Sequence, residues 1–174
     1  MRYGIAVDPG LRGCGLAFFD LDTKKLILAE YVRNTERHGF DFVAARAMTL
    51  QIRISVVRFG MEQPERFWGE CPVSYQAGAQ KGDQNDLIHL AGFVYMIAGA
   101  FENSALCQYT PREWKGTIEK EQMADRIIGR LDAAENAAVR QAGVLTHNIW
   151  DAVGIGLHAL GRLERKRVFG GINA

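Results

Sequence analysis

The chain has 174 residues, a net charge of +1, and 48% hydrophobic and 24% charged residues. This make-up suits a single domain spanning 1–174 with a real core, and it gives no overall basic signal for nucleic acid. Three cysteines (Cys14, Cys71 and Cys107) without CxxC spacing argue against a disulfide framework or a zinc site and fit a reducing compartment. No signal peptide precedes the first strand and no apolar run reaches membrane-spanning length, so the expectation is a cytoplasmic protein with no membrane contact.

Three β-like segments come first, at about 3–8, 13–20 and 25–32. The polar turn from Asp20 to Lys25 joins the second to the third, which predicts an antiparallel meander. A helix is expected from Asp41 to Phe59, with Ala45, Met48, Ile52, Val56 and Phe59 forming an apolar stripe and Arg46, Arg53 and Arg58 lying off it. Gly60 and Pro64 end it. A short strand, Arg66 to Cys71, stops at Pro72, and the polar stretch Ser74 to Asn85 reads as a loop. A second helix is expected from Asp86 to Phe101, with Leu87, Leu90, Ala91, Val94 and Ala98 on one face. The strand Ala105 to Tyr109 leads into a helix start with Thr110 as N-cap, Pro111 at the first position and Glu113 three residues after the cap. Two more helices are expected, at Glu119 to Leu131 and Asn148 to Glu164. Strands and helices in this order predict an α/β layered domain, a mixed sheet flanked by helices.

Three carboxylates are embedded in apolar sequence. Asp8 ends the first strand, just before the Pro9-Gly10 turn. Glu70 lies at the end of the fourth strand, after Phe67-Trp68, and Asp151 lies in the first turn of the last helix. Asn148, three residues before Asp151, shares its helix face. Taken singly, each acid has a plain role: Asp8 as a turn former, Glu70 as a solvated strand end, Asp151 as a helix acid favoured by the dipole. Together they converge if strands one and four are neighbours and the last helix crosses them. Converging acids repel unless cations neutralise them, and hard oxygen ligands suit Mg²⁺ or Mn²⁺. Two such ions about 4 Å apart can activate a water and stabilise the leaving oxygen in phosphodiester cleavage. His147, beside Asn148, is a candidate to assist catalysis or metal binding; His158, further along the helix, reads as a core or surface histidine.

Basic residues cluster locally. Arg162, Arg165, Lys166 and Arg167 form one group, and Arg112, Lys115 and Lys120 form another. Such patches hold phosphates even in a near-neutral chain, and they serve equally well as solvated helix ends.

With these motifs in order, the sequence resembles the RuvC Holliday junction resolvase family within the RNase H-like nuclease superfamily, over nearly the whole chain. Gly4-Ile5-Ala6-Val7-Asp8-Pro9-Gly10, with Gly13 and Gly15, matches the family's opening strand and turn, and Glu70 matches its second acid. Tyr109 to Lys115, followed by Glu119 to Gln122, resembles the segment that carries basic DNA-contacting residues. Asn148 to Ile155 resembles the closing helix, where two acids usually stand three residues apart. The chain departs from the family in two respects. Asn148 occupies the fourth metal-site position, usually Asp and sometimes His, and the segment between Lys115 and Glu119 is shorter than in typical bacterial resolvases. The loop after Glu70 also lacks an obvious Phe wedge, leaving Tyr75 as the aromatic available to stack on a base.

The resemblance implies an RNase H-like fold with a mixed five-stranded sheet, and a Mg²⁺-dependent endonuclease of four-way or other branched DNA, with Mn²⁺ as a substitute. Asp8, Glu70 and Asp151 would hold the metal with Asn148 assisting. Lys115, Lys120 and Arg112 would hold backbone phosphates. A homodimer is implied by the paired cuts a four-way junction needs. Leu87, Leu90, Phe93 and Val94 of the second helix form the candidate dimer surface, with ordinary core packing as the other reading. Three alternatives stand beside this one: a related nuclease for flaps, forks or RNA–DNA hybrids, a weakly catalytic branched-DNA-binding protein, and an actin-like ATP-binding module.

Overall fold

The structure, a computed structural model, describes residues 1–36, 40–60, 63–72, 84–118, 120–143 and 146–163. Its elements run β1 (Tyr3–Asp8), β2 (Gly13–Asp20), β3 (Leu26–Arg33), α1 (Phe42–Arg58), β4 (Arg66–Glu70), α2 (Gln84–Ala100), β5 (Ala105–Tyr109), α3 (Pro111–Trp114), α4 (Lys120–Ile128), α5 (Ala133–Arg140) and α6 (His147–Ala159). The five strands form one sheet in the order β3-β2-β1-β4-β5. The first three strands pair antiparallel as the expected meander, while β1 pairs parallel with β4, and β4 with β5. The fold is thus the expected mixed sheet flanked by helices, and strands one and four are neighbours.

β1 is buried along its whole length, which explains its continuous apolar run. Alternation sends Ile5 and Val7 to the face covered by α1 and α2, with Phe18, Phe67 and Phe93. Ala6 faces the other way, into the core beneath α6, with Trp68, Ile149, Ala152 and Val153. Asp8, two residues on, falls on that same α6 face.

The α1 stripe buries Ala45, Met48, Ile52 and Val56, and Asp41 caps the helix by accepting from the Ala44 N–H at 2.9 Å. Phe59 departs from the expectation: it is the C-cap residue and is exposed, stacking beneath the Arg58 guanidinium. On α2, Phe93, Val94, Ile97 and Ala98 lie in the core, so Phe93 and Val94 are not available as dimer surface. Leu87 and Leu90 are half-buried.

Two features lay beyond the sequence reading. Helix α5 was not anticipated, although Asp132 and Glu135 carry its start signal: their side chains and backbone N–H groups form a reciprocal capping box. Arg162, read above as part of a basic stretch, instead forms a two-pronged ion pair with buried Glu135, at 2.6 and 2.9 Å. Glu135 also accepts from the Leu26 N–H, and Arg162 donates to the Lys24 and Arg130 carbonyls. This hub ties the end of α6 to α5 and the β2–β3 turn. Among the described residues, no helix is long and apolar enough to cross a membrane.

Candidate active site

The site is built where β1 and β4 end side by side, beneath the first turns of α6. Asp8 closes β1 and is only 5% exposed; Glu70 closes β4 and is half-buried. Asp151 is buried on α6. That helix begins at His147, one residue earlier than expected, so Asp151 lies one turn in rather than in the first turn.

The close approach of α6 depends on a glycine. Gly15 on β2 pairs directly with Asp8, and a methyl group there would overlap the Asn148 carbonyl. The helix backbone thus rests on bare strand, and Asn148 is lowered onto the carboxylate beside Gly15. Its Nδ2 donates to Asp8 Oδ2 at 2.8 Å. Asn148 therefore presents its amide N–H to the acid.

Glu70 accepts from the indole Nε1 of Trp114 at 2.8 Å. Asp151 lies 3.5 Å from the Lys115 ammonium, which also sits 4.9 Å above the Trp114 ring. Both donors come from α3 and its C-cap. Thr110 accepts from the Glu113 N–H, and the Glu113 carboxylate returns to the Thr110 N–H, so the anticipated capping box holds that short helix in place.

Electrostatics tie the acids together. Burial pushes the Asp8 carboxyl well above the usual carboxylate range, and the charges of Glu70 and Asp151 push it further; the Asn148 hydrogen bond and Lys115 act against them. Glu70 is also raised, by burial first and by Asp151; Lys115 and the Trp114 hydrogen bond oppose this. Among the described residues, no three His, Cys, Asp or Glu side chains form a ready-made metal cluster. The donor chemistry nevertheless fits a hard divalent cation: carboxylate oxygens whose mutual repulsion a positive charge would relieve.

Arg112 is exposed on α3, His147 is exposed at the start of α6, and Lys120 is the first residue of α4. His158 packs edge-on against Tyr109 at 4.9 Å, away from the acids. Tyr75 and Glu119 lie outside the described residues. Trp114 lies within the Tyr109 to Lys115 segment and has no role in the sequence reading; its only signal there is an aromatic four residues after the Thr110 N-cap and next to Lys115.

No protein-family model matches the sequence, and no curated protein matches it. Solved structures do match. Thermus thermophilus RuvC in complex with a Holliday junction substrate superposes with a TM-score of 0.65 at 22% identity, covering 92% of this chain and 94% of that one. The fowlpox virus Holliday junction resolvase gives 0.56 at 18% identity, covering 93% and 99%. The yeast mitochondrial Holliday junction resolvase gives 0.60 at 12% identity, covering 92% and 81%. Through nearly its whole length, then, the chain has the RNase H-like fold of the RuvC-type Holliday junction resolvases.

Proposed function

We propose that the protein is a divalent-metal-dependent endonuclease of branched DNA, with the four-way junction as its substrate. The observation that carries this reading is that Asp8 and Glu70 end the adjacent parallel strands β1 and β4, with buried Asp151 on the helix packed over β1. Similarity to three resolvase structures supports the choice of substrate. Mg²⁺ or Mn²⁺, when bound, would supply activation of the attacking water and stabilisation of the departing oxygen. Asp8, Glu70 and Asp151 would hold the cations. Lys115, beside Asp151, would hold a backbone phosphate, and exposed Arg112 would offer a second phosphate contact. Lys120 and Tyr75 complete the proposed DNA contacts, and His147 the assisting group. Phosphate contacts of this kind position the strand without reading its sequence.

A homodimer belongs to this reading, because a symmetric junction needs two sites. The outward faces of α1 and α2 support it. Leu50, Ile54 and Val57 on α1, and Ile88 and Tyr95 on α2, are all exposed. Exposed apolar residues gathered on neighbouring helices mark an interaction surface.

One observation favours a second reading. With Asn148 turned as a donor to Asp8, the protein would bind branched DNA and cleave it weakly. The deciding experiment incubates labelled four-way junction, flap, fork, linear duplex and RNA–DNA hybrid with Mg²⁺ or Mn²⁺. The expected result is nicking of the junction above all others and loss of nicking, with binding kept, in Asp8→Asn. Tight junction binding without cleavage in either metal establishes the second reading. Unchanged nicking by Asp8→Asn overturns the first.

A further inference from the structure

We infer that Trp114 is a positioning residue of the acid site, a rigid spacer that sets Glu70 on β4 against Asp151 on α6. The inference rests on the nuclease reading above and goes beyond it in assigning a role to a residue that carries no charge. Trp114 is 2% exposed, so its indole N–H must find a partner inside the protein. That partner is Glu70 Oε2, and no hydrogen bond among the described residues holds Oε1. One carboxylate oxygen is therefore fixed by the protein, leaving the other to face a cation.

The opposite side of the ring is fixed as closely. It lies against Gly154, three residues after Asp151 on α6. A methyl group there would stand 2.5 Å from Trp114 Cζ3 and 3.0 Å from Ile127 Cδ1. One flat side chain thus touches the strand acid through its N–H and the helix that carries the other acid through its edge. The next residue, Lys115, reaches Asp151 from the same short helix. A plain core tryptophan needs neither the hydrogen bond to a site carboxylate nor a glycine cleared for its ring. Groups that orient a metal ligand typically change metal affinity about 10–100-fold when removed.

The test replaces Trp114 with 3-benzothienylalanine, which puts sulfur in place of the N–H and keeps the ring's shape, alongside Trp114→Phe. Mn²⁺ affinity is measured by electron paramagnetic resonance on the full chain without DNA, and the thermal midpoint is measured in EDTA. The isostere is expected to bind Mn²⁺ about 10-fold more weakly, while its EDTA midpoint falls less than that of Trp114→Phe. Affinity equal to the parent's overturns the inference. A loss of affinity that tracks a lowered EDTA midpoint in both variants assigns Trp114 to packing and also overturns it. A parent protein that binds no Mn²⁺ overturns the nuclease reading itself, an outcome distinct from the other two.

Discussion

Gly15→Ala is the sharpest test of how α6 reaches the acids. In an open strand this change would stabilise the protein by about 0.5–1 kcal/mol, because glycine gives up more backbone freedom on folding. Here the sign should reverse. The added methyl would overlap the carbonyl carbon and oxygen of Asn148 and stand 2.8 Å from the Ile149 nitrogen. All three atoms are helix backbone, so no rotamer change relieves the overlap; α6 must move. Overpacking that side chains can partly absorb costs about 1–3 kcal/mol, so a clash against backbone should reach at least the top of that range. In a chain of this size, ~3 kcal/mol lowers the thermal midpoint by about 6–12 °C. The displaced helix also takes the Asn148 amide away from Asp8, now 2.8 Å apart. Urea unfolding should show a lower midpoint at unchanged slope, and Mn²⁺ titration a weaker site. An alanine variant as stable as the parent, with unchanged Mn²⁺ affinity, would refute the close seating of α6 on β2.

Other outcomes follow from the same geometry. Asp8→Asn should raise the stability of the metal-free protein at neutral pH while abolishing nicking. The raised Asp8 carboxyl destabilises the fold above its own folded pKa and not below the ordinary value of 3.8, so the variant's advantage should shrink as urea melts are repeated towards that pH. Asn148→Asp should tighten Mn²⁺ binding by calorimetry yet lower the EDTA thermal midpoint, since it sets a fourth carboxylate against Asp8. Glu135→Gln should cost about 3 kcal/mol at pH 7 by leaving Arg162 without its charge partner. Burial raises the Glu135 carboxyl, but hydrogen bonds from Arg162, Asp132 and Leu26 outweigh it and hold it below 4.5; the parent's advantage is thus full above that pH and fades as pH falls through the lowered value. Tyr95→Glu on the outward face of α2 should shift sedimentation from dimer to monomer, and a dimer that persists would place the interface elsewhere.

Much of this architecture is legible in the sequence where burial is complete. β1 reads as an uninterrupted apolar run because both of its faces are covered, and the Thr110 and Asp41 caps announce their helices by side-chain chemistry alone. Helix α5 shows what composition hides. It is only eight residues long, with small alanines and one valine for its apolar side, and Asp132 and Glu135 mark its start. Arg162 reads as one cation in a basic run, because its buried partner is 27 residues away and belongs to that same unrecognised helix. Phe93 and Val94 of α2 stay open between dimer surface and core in the sequence, because a helix apolar on several sides does not declare which side meets the sheet.

The acids were legible for a different reason: each stands at the end of an apolar segment, where a carboxylate is costly unless it has a partner. Their partners could not be read that way. Asp8 and Asn148 are 140 residues apart, and Glu70 and Trp114 are 44 apart, so only the sheet order and the approach of α6 pair them. Those pairings give each of the three acids a partner within the fold. Asn148 serves Asp8, Trp114 serves Glu70 and Lys115 serves Asp151, one donor for each carboxylate. Two of these donors are neutral, so they orient the acids without cancelling their charge, and the burial and repulsion that raise Asp8 and Glu70 persist. An aspartate at position 148 would remove one donor and add a fourth negative charge, leaving Lys115 as the nearby cation to offset it. Asparagine at that position therefore limits the charge the metal-free fold must carry, and by the same logic it lowers the attraction the site can offer a divalent ion.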